Sequence, residues 1–129
     1  MQPLYSLLWV MIGGAIGAAA RFGVSELVAL AAGRSAVPLG TLLVNVAGCL
    51  LIGYVAASFA GERQAAFSLL MNRPLVVTGF LGALTTFSTF GFEVVDLALR
   101  RGPAWAAALV ALHVVLGLAA VVGGMRLGE

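Results

Sequence analysis

Thr78-Gly79-Phe80-Leu81-Gly82-Ala83-Leu84-Thr85-Thr86-Phe87-Ser88-Thr89-Phe90 lies inside an apolar run that extends from about Leu75 to Leu99. Thr85, Thr86, Ser88 and Thr89 put four hydroxylated residues within five positions, three of them β-branched. Such residues lose rotamer freedom in a helix or bond to nearby backbone instead, and glycine weakens a helix further. With Gly79, Gly82 and Gly91 alongside, the stretch predicts a membrane crossing broken at mid-membrane near Gly82 to Thr86. A break frees carbonyls, which lipid tolerates only where protein, water or an ion satisfies them. Freed carbonyls near the midplane can hold a small hard cation such as Na⁺. The alternative is that the hydroxyls bond back to their own helix.

The rest of the chain supports a membrane setting. Of its 129 residues, 62% are hydrophobic and 9% charged, and the mean hydropathy is +1.11. A soluble domain carries about 25% charge, and disordered chains are polar, so both classes are excluded. At ~20 residues per crossing, the length allows at most four or five helices. Punctuation by loops gives four in one domain spanning 1–129: about 4–30, 39–59, 75–99 and 104–125. The connection from Gly61 to Pro74 includes a candidate interfacial turn through Phe67 and Leu70. Ala18-Ala19-Ala20 resembles a signal-peptidase site, but no positive charge precedes it, so the first segment is read as a retained helix. The expected location is therefore the cell (inner) membrane, as a multi-pass protein in the lipid bilayer.

Net charge is +2, from seven Arg and no Lys, scattered rather than striped. No nucleic-acid partner is expected from that pattern. With four crossings, Arg34, Arg100 and Arg101 lie on one side and Arg63, Arg73 and Arg126 on the other. Orientation follows the excess of basic residues in cytoplasmic loops, and three against three specifies none. Such a chain inserts both ways and pairs with an inverted copy of itself, unless Arg21 tips the balance. Small residues also favour close helix contacts: Gly13 and Gly17, Gly48 and Gly53, and Gly117, Gly123 and Gly124. Four helices hardly enclose a pore alone, so an oligomer is expected.

Polar groups inside a membrane helix invite functional readings. Asn45, alone in the second helix core, either serves an anion or joins helices. Phe87 and Phe90 are three apart and so near one helix face. Two aromatics in an apolar chain are ordinarily packing; the other reading is that their electropositive edges, interleaved with Thr, Ser and Asn donors, surround a small anion without a full positive charge. His113 stands alone in the fourth helix and reads as packing, as does Cys49. Arg21 and Glu26, and Glu93 and Asp96, lie near helix ends, where charges face water or form a vestibule; Arg21 would concentrate anions there.

These strings, with Gly40-Thr41-Leu42-Leu43-Val44-Asn45-Val46-Ala47-Gly48 and Gly13-Gly14…Gly17…Arg21, resemble the bacterial Fluc (CrcB) family of fluoride channels. The resemblance covers essentially the whole chain. It implies an all-α membrane protein working as an antiparallel, dual-topology homodimer with two pores. That dimer passively exports fluoride from the cytoplasm and relieves its toxicity. It also implies a structural Na⁺ at the dimer centre, on backbone carbonyls that fall by motif position on Gly82 and Thr85. The fluoride pathway falls on Asn45, Phe87, Phe90, Ser88 and Thr89, and Arg21 and Glu93 stand at its ends. Ala83 and Gly91 depart from common family residues, and no fourth-helix pore donor carries over. Some relatives of that kind work as unlike pairs, but the intact motifs favour self-pairing.

Two other functions fit less well. A small dual-topology proton-coupled exporter needs a mid-membrane carboxylate, whereas these acids lie near helix ends. An intramembrane enzyme using Ser88 and His113 lacks a nucleophile elbow and a third orienting group. No catalytic residue is expected.

Overall fold

The computed structural model describes residues 2–58 and 74–129. The candidate interfacial turn at Phe67 to Leu70, with Arg63 and Arg73, lies outside the described residues. Every regular element among them is helical.

Helix α1 (Gln2–Ala32) is 31 residues long, about 46 Å at the ~1.5 Å rise of an α-helix. That exceeds a hydrocarbon core of about 30 Å, so the helix tilts or protrudes. Gly33, at φ 86°, ends it; its N–H bonds to the Ala29 carbonyl at 3.0 Å. A short 3₁₀ turn, Arg34–Ala36, leads into α2 (Val37–Ser58). The third crossing is in pieces. Segment α3 is wound as a π-helix over Pro74–Leu81 and continues as α-helix over Gly82–Leu84. Thr85 and Thr86 are extended, at φ −83°, ψ 153° and φ −151°, ψ 118°. Helix α4 (Phe87–Arg101) follows. Gly102, at φ 96°, turns the chain, and Pro103 opens α5 (Pro103–Gly128), a first-turn position where its missing N–H costs nothing.

Among the described residues, four spans are long and apolar enough to cross a bilayer: Leu4–Ala32, Pro38–Ser58, Pro74–Arg101 and Pro103–Gly128. Each extends at least one end past its sequence-based estimate. The chain is a multi-pass membrane protein. The sequence carries no sign of the π winding, because composition does not separate a wide helical turn from an ordinary one.

Two pairings organise the bundle: α2 against α5, and α1 against α3. Both rest on glycine. A Cβ on Gly13 would strike the Leu75 carbonyl, and one on Gly17 the Phe80 carbonyl. Across the second seam, a Cβ on Gly124 would strike the Leu50 carbonyl and one on Gly53 that of Val121. Lipid supplies no hydrophobic drive between helices, so association depends on backbone approach and the dispersion contacts it allows.

Among the described residues, Val44, Leu81 and Leu84 form one buried cluster, with Ala20, Val24, Ile52 and Phe80 against them, and Leu42, Val55, Ala106 and Leu109 are buried as well. Leu30, Leu99 and many other large apolar side chains are exposed, as suits surfaces that face lipid or another helix.

Candidate functional site

The extended pair Thr85–Thr86 lies beside α2, and side chains take over the hydrogen bonds that an unbroken helix would make. Thr86 N–H, which would close on the Gly82 carbonyl four residues earlier, donates instead to Asn45 Oδ1 at 2.9 Å. Asn45 Nδ2 donates to the Thr86 carbonyl at 3.3 Å. Asn45 thus grips both backbone polar groups of one residue, and joins helices in doing so.

Thr86 is also the N-cap of α4. Its Oγ1 accepts from Thr89 N–H at 3.3 Å, the amide that would otherwise close on the Thr85 carbonyl. A capping hydroxyl is worth about 0.5–2 kcal/mol relative to alanine. Thr86 Oγ1 lies 3.2 Å from Ser88 Oγ and donates to Thr89 Oγ1 at 3.1 Å. Thr85 keeps the helical bond from its N–H to the Leu81 carbonyl at 3.1 Å. Its hydroxyl donates to that same carbonyl at 3.0 Å. So one hydroxyl bonds back to its own helix, while Gly82 and Thr85, the two expected carbonyl ligands, each lose their helical donor. Among the described residues no group of three or more His, Cys, Asp or Glu could hold a metal; oxygen for a cation would come from the backbone.

Asn45, Gly82, Thr85 and Thr86 line a groove of about 530 Å³ together with Phe87, Phe90 and His113. The Phe87 and Phe90 centroids are 5.7 Å apart with planes tilted by 55°, so an edge and not only a face is presented. Phe87 is 83% exposed, and Gly82 is exposed as well. Among the described residues, no Arg, Lys, Asp or Glu lines the groove.

Of the two acids of α4, Asp96 lies on the exposed face, as expected near a helix end, and Glu93 does not. Glu93 does not face water near a helix end: it is 7% exposed. Thr41, itself buried, donates its hydroxyl hydrogen to Glu93 Oε1 at 2.6 Å, while Oε2 is buried with no partner among the described residues. The burial follows from register, since α4 turns Glu93 toward α2 rather than outward. Asp96 instead pairs with Arg100 at 2.7 Å, one turn along the exposed face; such a pair contributes about 0–1 kcal/mol. A second cavity, of about 480 Å³, opens between Thr89, Glu93, Asp96, Arg100, Arg101 and Arg34. Arg21 is half-buried on α1 and lines neither cavity.

Of the residues singled out from sequence, the groove therefore gathers Asn45, Gly82, Thr85, Phe87 and Phe90. Thr89 and Glu93 line the second cavity, and Ser88 is exposed beside Thr86. Thr41, which holds Glu93, and Thr86, which caps α4, carry more of the structure than their residue types indicate. On α5 the His113 ring packs against Phe90, centroids 4.3 Å apart.

The profile of the family described as CrcB-like protein, Camphor Resistance (CrcB), matches residues 8–125. A protein of Paracoccus denitrificans named Fluoride-specific ion channel FluC is 44% identical over 130 residues, covering 97% of this chain and 95% of its own. Proteins of the same name from Aeromonas salmonicida and Rhizobium johnstonii are 43% and 44% identical, the first covering 93% of both chains and the second 90% of both.

Proposed function

This chain belongs to the CrcB family, and on that premise we propose that it is a fluoride channel, a passive antiparallel homodimer that lets fluoride leave the cytoplasm. The observation that carries the reading is the groove. Asn45, the Thr85–Thr86 break and the Phe87 and Phe90 rings converge there with no Arg, Lys, Asp or Glu among the described residues that line it. Fluoride is small and strongly hydrated. Passage requires that its water be replaced by contacts good enough to admit it and weak enough to release it. The second Nδ2–H of Asn45, beside electropositive ring edges, meets both demands, whereas a buried Lys or Arg would hold the anion.

Two subunits fit the exposed parts of the site. Phe87 and Gly82 are open on one chain, and the even split of Arg between the two sides favours insertion in both orientations. Each chain supplies two carbonyls, Gly82 and Thr85, whose helical donors are diverted. A hard cation takes oxygen ligands, and a twofold partner doubles the set. These residues would hold a structural Na⁺ at the dimer centre, where it would fix the two breaks against each other. Asn45 keeps Thr86 N–H away from the Gly82 carbonyl, and Thr86 Oγ1 does the same for Thr85. Ser88 and Thr89 extend the line of hydroxyls toward the second cavity, where Glu93 stands, and Arg21 on α1 would raise the local anion concentration.

Buried Glu93 favours one second reading, a small proton-coupled exporter, because such a carrier needs a shielded carboxylate. The deciding measurement uses the purified protein in liposomes loaded with potassium fluoride. After addition of a potassium ionophore, a fluoride electrode should record rapid efflux with no pH gradient applied. Efflux that requires a proton gradient supports the exporter, and no efflux in either condition ends both readings.

A further inference from the structure

Gly48 follows Asn45 by three residues on α2, so the two lie near one helix face, the face turned to the Thr85–Thr86 break. Gly48 is buried and lines the same groove. Gly13, Gly17, Gly53 and Gly124, at the two seams, abut backbone carbonyls of the neighbouring helix, whereas Gly48 abuts a side chain. A Cβ there would strike Thr85 Cγ2, and the next atom, Thr85 Cβ, would stand at 3.8 Å. The missing side chain of Gly48 is thus a notch on α2, and the Thr85 methyl fills it.

The Thr85 side chain is held at a second point, where Oγ1 donates to the Leu81 carbonyl at 3.0 Å. Oγ1 and Cγ2 share one Cβ, and a β-branched side chain has few allowed χ1 settings. Turning the methyl out of the notch would therefore carry the hydroxyl off Leu81. The peptide that joins Thr85 to Thr86 is held as well, since its N–H donates to Asn45 Oδ1 at 2.9 Å. In a trans peptide the C=O points opposite to the N–H, so the Thr85 carbonyl is directed away from the Asn45 amide. Contacts with Leu81, Gly48 and Asn45 together leave that carbonyl little freedom to turn.

We propose that Gly48 is a positioning residue for the cation site: its notch seats the Thr85 methyl and so fixes the direction in which the Thr85 carbonyl is offered to the ion. The proposal rests on the reading of Gly82 and Thr85 as Na⁺ ligands. A site made of a few oxygens binds well only while the residues behind them hold their geometry. In Gly48→Ala the new methyl and the Thr85 methyl compete for one space. Because the side chain cannot turn without losing Leu81, the peptide that bears the carbonyl is what moves. Thr85→Ser removes Cγ2 and keeps the hydroxyl. Gly48→Ala combined with Thr85→Ser therefore exchanges one methyl for another and conserves the packed volume, the kind of core change that is tolerated best.

The test is thermal unfolding of the purified protein in detergent, titrated with NaCl against N-methyl-D-glucamine chloride at constant ionic strength. A ligand that binds the folded state raises the unfolding temperature as its concentration rises, so the Na⁺ dependence reports on the site without any transport. Gly48→Ala should raise the Na⁺ concentration needed for a given stabilisation at least about tenfold, the equivalent of about 1.4 kcal/mol. In the Thr85→Ser background the same substitution should change it by less than about threefold. An equal shift in both backgrounds overturns the inference, as does a Gly48→Ala protein that melts lower yet responds to Na⁺ as wild type does. Where Gly48→Ala alone does not fold, the double variant should fold and respond to Na⁺ as Thr85→Ser does; failure of both overturns the inference. A wild-type unfolding temperature indifferent to Na⁺ overturns the Na⁺ reading with it.

Discussion

Asn45 holds Thr86 by both its backbone polar groups, accepting from the N–H at 2.9 Å and donating to the carbonyl at 3.3 Å across 41 residues of sequence. The side-chain amide stands in for a strand partner. It lets two extended residues exist between helices without orphaned peptide groups, which an apolar environment would not tolerate.

Asn45→Leu removes both bonds and leaves two peptide groups open, at about 1–3 kcal/mol each. The variant should unfold at lower temperature than wild type in detergent. Its fluoride efflux should fall at least about tenfold, the rate equivalent of about 1.4 kcal/mol. Unchanged stability and flux would show that the break does not depend on this grip.

Phe87→Ile and Phe90→Ile keep apolar bulk but remove the electropositive ring edge. Each should cut fluoride efflux sharply while size-exclusion chromatography still reports the assembled protein. Wild-type flux in both variants refutes the edge role.

Purification without Na⁺, with N-methyl-D-glucamine in its place, should weaken the dimer or its transport, and restored Na⁺ should reverse the loss. Indifference to Na⁺ counts against carbonyl ligation by Gly82 and Thr85.

A C-terminal epitope tag should be accessible from both faces of the membrane in intact and permeabilised preparations. Labelling from one face alone ends the dual-insertion proposal.

Glu93→Gln preserves an oxygen that accepts from Thr41 and removes the titratable carboxyl. In a channel, passive efflux should stay within about threefold of wild type, less than the ~1 kcal/mol that a typical hydrogen bond contributes. In an exporter the same change abolishes coupling. Loss of efflux with assembly intact would move the assignment toward the exporter.

Several features were legible because they are local. Hydropathy sums along the chain, so four crossings follow from composition and spacing alone. The hydroxyl-rich run from Thr85 to Thr89 is poor helix material wherever it is placed, and the structure puts its two extended residues there. The glycines of α1 announce a close contact, although not which helix they meet.

What the chain order could not express is register. The Thr41–Glu93 bond joins residues 52 apart, and it buries an acid whose position near a helix end suggested water. His113 reads as solitary in the sequence because no companion stands on its own helix, yet the fold brings Phe90 against it. Helix rotation and depth decide these pairings. They are set where the backbones of Gly13 and Gly17 meet α3, and where Gly53 and Gly124 let α2 meet α5. Propensity and hydropathy belong to each residue separately, whereas a hydrogen bond between helices exists only once their packing has fixed which faces look at each other.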